Sequence, residues 1–194
     1  MAKQLSLTGF DPPPKPTDRL FFALFPEADA AARIRLLADR LRGAHCLRGR
    51  PLETERFHVT LHHVGDHVGL PDQLVEQARE AAAMVAMSSF EVGFNRVASF
   101  RRSQSLPFVL RGDERGDLAA LMSFQQTLGK AMTQAGLGRM VDQRYTPHVT
   151  LLYDDRTVTD QLVEPIRWTV REFVLVHSLL GQHRHVPLGR WPLR

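Results

Sequence analysis

Two stretches decide how this chain is read: FHVTLHHVGD at residues 57–66 and PHVTLLYDDR at residues 147–156. Both contain His-Val-Thr-Leu, and the two histidines, His58 and His148, stand 90 residues apart, close to half the chain. A single His-x-Thr means little, because in a chain of this composition about 0.5 such triplets arise by chance. Requiring Val and Leu as well lowers the expectation to roughly a few per thousand for each copy. Two copies at equivalent places mark two related lobes, not a solenoid of many units. In a strand, side chains alternate faces and advance about 3.3 Å per residue. His58 and Thr60 therefore share one face, with Val59 and Leu61 on the other, toward the helices of their own lobe. His148 and Thr150 stand in the same relation to Val149 and Leu151. A lone His or Thr on a strand is usually a satisfied structural residue, but nothing in packing demands histidine at matching positions in both halves. Lobes packed with these faces opposed would bring two imidazoles and two hydroxyls into one cleft.

Working outward, each motif follows a strand and a helix. LFFALF (20–25) is short, apolar and aromatic, as a buried strand should be. Residues 29–42 carry Ala30, Ile34, Leu37 and Leu41 at helical spacing. The first motif strand stops at Gly65-Asp66, and a second helix opens at Pro71-Asp72. Strands over about 90–100 and 107–111 and a helix over 117–135 lead to the second motif. Residues 166–168, 172–179 and 185–188 complete a β-rich C-terminus. Residues 1–18, with Pro12, Pro13, Pro14 and Pro16, read as a flexible tail, since such a run supports neither a helix nor a central strand. The organisation is thus a tail followed by one bilobal domain over 19–194.

Composition narrows the class. Of 194 residues, 43% are hydrophobic and 24% charged, ordinary for a folded soluble protein. No apolar run approaches the roughly 20 residues needed to span a bilayer, and the first residues lack the apolar core of a secretory signal. The one cysteine, Cys46, excludes an intrachain disulfide and a CxxC zinc site, and points to a reducing cytoplasm. Twenty-five basic residues against 21 acidic give net +4, a mild bias compatible with a phosphate-bearing partner.

Neutral imidazole is a base near pH 7 and imidazolium an acid. Two of them flanking a phosphorus can act together, one taking the proton of an attacking water and the other protonating the departing oxygen. Thr60 and Thr150 can hydrogen-bond the phosphate oxygens. No metal or cofactor is needed. His58, His62, His63 and His67 are close in sequence, but His62 and His63 face opposite ways on a strand and no carboxylate pair completes a metal site. His62, His63 and His67 read as strand-end and turn residues.

With RLFFALF at 19–25, GRP at 49–51 and the closing run from Ser178 through RHVPLGRWPL, the chain resembles the bacterial RNA 2′,3′-cyclic phosphodiesterases. These are historically called 2′-5′ RNA ligases, and they belong to the two-histidine phosphoesterase superfamily. The resemblance implies an α+β fold of two pseudo-symmetric lobes of antiparallel sheet, with helices outside and a central cleft between the sheets. It implies hydrolysis of a terminal 2′,3′-cyclic phosphate on RNA or an oligonucleotide to a 2′-phosphomonoester, without cofactor or membrane, by a monomer. Ligation of 2′-5′ ends would be the reverse reaction. His58 would be the proton donor, His148 the proton acceptor, and Thr60 and Thr150 the phosphate ligands. Arg50, Tyr145, Tyr153 and His185 would form the substrate rim; Arg50, Arg101 and Arg102 could contact a 5′-ward phosphate, although a solvated surface arginine is the commoner case. Departures from the family pattern fall on that rim. Tyr153 stands where a basic residue is common, His185 where a tyrosine is, and His62-His63 where an apolar dipeptide is. Two other readings stay open: a related phosphoesterase acting on 2′,5′-linked oligonucleotides or small cyclic nucleotide phosphates, and a non-catalytic RNA-binding module.

Overall fold

The repeat shows itself first in connectivity. The computed structural model describes residues 14–100 and 105–194. Strand β1 (Asp18–Leu24), helix α1 (Ala28–Ala44) and strand β2 (Val59–His67) are followed by α2 (Asp72–Ala83) and β3 (Phe90–Ser99). The strand–helix–strand order then returns as β4 (Leu106–Arg111), α3 (Ala119–Gln134) and β5 (His148–Asp154), before β6 (Gln161–Val170), β7 (Glu172–Leu179) and β8 (Arg184–Pro192). The strands are ordered β6-β3-β4-β5-β2-β1-β7-β8, and every recorded pairing is antiparallel. The fold is therefore α+β, with two four-stranded halves related by the repeat. The halves meet at the motif strands, where Val59 pairs with Val149.

The apolar face of that sheet and the helices make one core. On α1, Ala30, Ala31, Ile34, Leu37, Ala38 and Leu41 are buried, the stripe that the spacing predicts. The helices are exchanged between the halves: α1 packs on β5 and β6, while α3 packs on β2 as well as β3. Motif strand β2 thus packs against a helix of the opposite half. A single buried cluster runs from Leu20 through Phe57, Phe108 and Phe124 to Leu193. Strand β1 is buried on both sides. Leu20, Phe22 and Leu24 join this core, and Phe21 and Ala23 form a small apolar patch with Val174 and Val176 on the other face. That is why LFFALF reads as an unbroken apolar run.

Some boundaries move. Asp18, placed in the tail by sequence, opens β1 and is buried, accepting hydrogen bonds from Thr17 Oγ1 and Gly69 N and facing His177 Nε2 at 2.5 Å. Strand β2 continues through Gly65 to His67, paired with β1 as far as Asp18. Pro12, Pro13, Arg101 and Arg102 lie outside the described residues. Among those described, no helix is long and apolar enough to cross a membrane.

Candidate active site

Both motif histidines are fixed in the same way. His58 Nδ1 lies 2.7 Å from the carbonyl of Arg56, and His148 Nδ1 lies 2.8 Å from that of Thr146. Each carbonyl can only accept, so each Nδ1 carries a proton, and acid–base exchange falls to Nε2. Continued by one residue on either side, the Val59–Val149 register sets His58 opposite Thr150 and Thr60 opposite His148. All four line one cleft of about 1080 Å³.

A pair of matched β-bulges shapes the walls. The β1–β2 register slips between Phe22 and Ala23, leaving Leu61 extra, and the β4–β5 register slips between Phe108 and Val109, leaving Leu151 extra. Bulges re-aim the residues that follow them. Leu61 and His62 are consequently both buried, as are Leu151 and Leu152, and the next residues, His63 and Tyr153, face the cleft. The alternation read from sequence therefore fails after the fourth motif residue. His62 is no strand-end residue: it donates from Nε2 to Gln125 O at 2.9 Å and accepts the Asp142 amide at Nδ1, tying β2 to α3. Burial pushes its pKa down. His63 instead joins Asp66, which Arg19 holds with two 2.7 Å bonds.

The surroundings of the two histidines differ. His58 packs against Phe21, Phe25 and His185, with ring centroids at 5.1, 5.9 and 5.2 Å. Burial first, then the nearby His185, His148 and Arg56, push its pKa down to about 4 against the carbonyl hydrogen bond. His148 meets Phe100 at 4.9 Å and pairs across strands with Arg111. Burial likewise lowers His185, and it pushes the Tyr145 phenol up. Four polar atoms in cleft residues are buried with no hydrogen-bond partner among the described residues: Arg56 Nε, Arg111 Nε, Tyr145 Oη and His185 Nδ1. Together they supply donors suited to an anion.

Of the expected rim, Tyr145, Tyr153 and His185 line the cleft and Arg50 does not. Arg50 is solvent-exposed on a segment that has a different task. The amides of Arg48 and Gly49 donate to Asp154 Oδ2 at 2.6 and 2.7 Å, and Leu52 N donates to the bulged Leu151 O. The GRP stretch thus clamps β5. Sequence reading missed Arg56, Arg111 and Phe100. The signal for Arg56 was its place two residues before His58, where its carbonyl anchors the ring.

A sequence profile described as the 2′-5′ RNA ligase superfamily matches residues 10–182. No curated protein sequence matches the chain. Among solved structures, E. coli LigT complexed with 3′-AMP is 25% identical, with 93% of this chain and 99% of that one aligned at a TM-score of 0.64. E. coli LigT complexed with NADP+ is 25% identical over 91% and 98% of the two chains, with a TM-score of 0.67. The protein TT0787 of Thermus thermophilus is 20% identical over 91% and 98%, with a TM-score of 0.70, a likeness of fold.

Proposed function

The chain belongs to the 2′-5′ RNA ligase superfamily, the two-histidine phosphoesterases, and from that premise we propose that it hydrolyses 2′,3′-cyclic phosphate ends of RNA or oligonucleotides to 2′-phosphomonoesters. The observation that carries this reading is the matched anchoring of His58 and His148, each with Nδ1 on a backbone carbonyl and both lining one cleft. In-line opening of a cyclic phosphodiester needs a base on the attacking water and an acid on the departing oxygen. His148 Nε2 takes the water proton, and His58 Nε2 protonates the 3′ oxygen as the P–O bond breaks. Thr60 and Thr150 donate to the non-bridging oxygens, and Arg56 and Arg111 offset the charge that gathers there. That E. coli LigT has been crystallised with 3′-AMP and with phosphate supports a phosphate-bearing nucleotide as the ligand class.

The test is turnover of a panel of cyclic-phosphate ends in EDTA, with the product identified as the 2′- or 3′-monophosphate. Turnover to the 2′ product is expected to survive chelation, because two imidazoles supply both proton transfers. His58→Ala and His148→Ala should each lower kcat by roughly 10²–10⁴-fold, and the double variant should fall far short of the product of the two losses, since the residues act as a unit. Activity abolished by EDTA and restored by zinc or manganese overturns this mechanism.

A further inference from the structure

The two-motif scheme leaves three histidines of the cleft unused, His63, His183 and His185, and one of them packs directly on His58. His185, on edge strand β8, sets its ring at 79° to that of His58, and the Phe21 ring packs against both, 5.1 Å from His58 and 5.6 Å from His185. Arg56 completes the group. Its carbonyl anchors His58, and its guanidinium lies 3.5 Å from His183 Nδ1. Arg56 Nε and His185 Nδ1 are buried without hydrogen-bond partners among the described residues, a rare condition for polar atoms in folded proteins.

Among the described residues, the groups acting on His58 are all cationic or neutral. Arg56 faces it from the turn before β2, His185 from β8 and His148 from β5, and β1 and the residue after it present the uncharged rings of Phe21 and Phe25. The carboxylate that lines the cleft, Asp142, acts instead on His62 and Tyr145, and Asp66 is engaged by Arg19 and His63. Donors and aromatic walls are in place around His58, and no carboxylate among the described residues acts on it.

We propose that Arg56, His58 and His185 form a cradle that takes up an anion and a proton together: Arg56 and His185 hold a phosphate group, and a proton from solvent settles on His58 Nε2, creating the acid as the substrate arrives. The identification of that anion as a phosphate ester rests on the phosphodiesterase reading. An anion within about 4–6 Å favours the charged form of an imidazole, and without one burial keeps His58 neutral near pH 7. An unpaired imidazolium in this aromatic niche would be opposed by desolvation.

Sulfate is the probe, because it has the shape and charge of a phosphate dianion and does not titrate near neutrality. On the full chain, the ring nitrogens of His58 are followed by NMR against pH with and without sulfate. Proton uptake on sulfate binding is measured by calorimetry in buffers of different ionisation enthalpy. The His58 midpoint should rise by roughly two pH units or more, with uptake of about half a proton or more per bound sulfate near pH 6. His58→Asn should bind sulfate without uptake. His185→Phe and Arg56→Gln should each weaken sulfate roughly tenfold, and His185→Gln, which keeps a donor, should bind more tightly than His185→Phe. The cradle is overturned by a wild-type chain that does not bind sulfate, by a His58 midpoint that does not move, by uptake that persists in His58→Asn, or by unchanged affinity in both donor variants. None of these readouts needs turnover. Proton-linked sulfate binding in a chain inert toward cyclic phosphates refutes the phosphodiesterase reading alone, and cleavage without a His58 shift refutes the cradle alone.

Discussion

His62 donates its Nε2 proton into the carbonyl of Gln125 and lies 1% exposed beneath α3, where Gly129 leaves room for the ring. Its neighbour His63 is half exposed in a surface pair with Asp66. His62→Ala leaves the Asp142 amide without its acceptor and opens a buried hole beneath α3, and should cost about 1–3 kcal/mol, whereas His63→Ala should stay within about 0.5 kcal/mol. Urea denaturation of the two variants separates these outcomes, and equal midpoints would contradict the bulged register. His58 carries a pH signature of its own. Its folded pKa of about 4 lies below the ordinary histidine value of 6.5, so between those values the unfolded chain binds the proton more readily. Its contribution to stability is intact above pH 6.5 and is lost as pH falls toward 4. His58→Asn should therefore flatten the fall in unfolding free energy between about pH 7 and about pH 4.5, and a slope unchanged by the substitution would contradict a neutral, desolvated His58.

At the scale of elements, the segment before the first motif and the end of the second motif strand form one device. A Cβ on Gly49 would lie 2.0 Å from Tyr153 O, so Gly49→Ala must push the segment off β5. Asp154 is 5% exposed, and although burial alone raises its pKa, the amides of Gly49, Arg156 and Arg48 hold it at about 2. Gly49→Ala and Asp154→Ala should each lower the melting temperature, and the double variant should lower it by less than the sum, since both break the same clamp. The Asp154 contribution is present above pH 3.8 and lost as pH falls toward about 2, so the wild-type advantage over Asp154→Asn should shrink in melts taken in that window. The edges are managed too. Pro165 in β6 and Pro187 in β8 sit on the two outermost strands, where a missing amide blocks pairing with another chain.

At the scale of the whole molecule, the exchange of helices makes the halves interdependent. Each half carries one tryptophan: Trp168 on β6 stacks on Phe94, and Trp191 on β8 stacks on Phe173. If one core serves both, single-tryptophan variants (Trp191→Phe and Trp168→Phe) should each unfold in one transition whose fluorescence coincides with far-UV circular dichroism. Two transitions within a variant, one per probe, would mean that the lobes fold separately.

The sequence by itself determined the elements and the family. The twin HVTL runs, the strand–helix–strand order before each, and the apolar stripes on α1 and α3 depend on side-chain periodicity, which is local and therefore written in order along the chain. His58, Thr60, His148 and Thr150 were legible for that reason, each motif giving its polar pair one face of a strand. Tertiary structure alone decided which helix covers which motif strand, because contacts between α1 and β5 or α3 and β2 join residues far apart in sequence. It also decided the bulges at Leu61 and Leu151, since a slip of register is a relation between two strands and leaves no mark on either alone. From those slips follow the burial of His62 and the turning of His63 and Tyr153 into the cleft. The clamp of the GRP stretch on β5, which leaves Arg50 outside the cleft, is likewise a contact between distant segments. The gathering of Arg56, His185 and Phe21 around His58 is of the same kind, for it brings together a turn, an edge strand and β1 that share no spacing a reader of the sequence could measure.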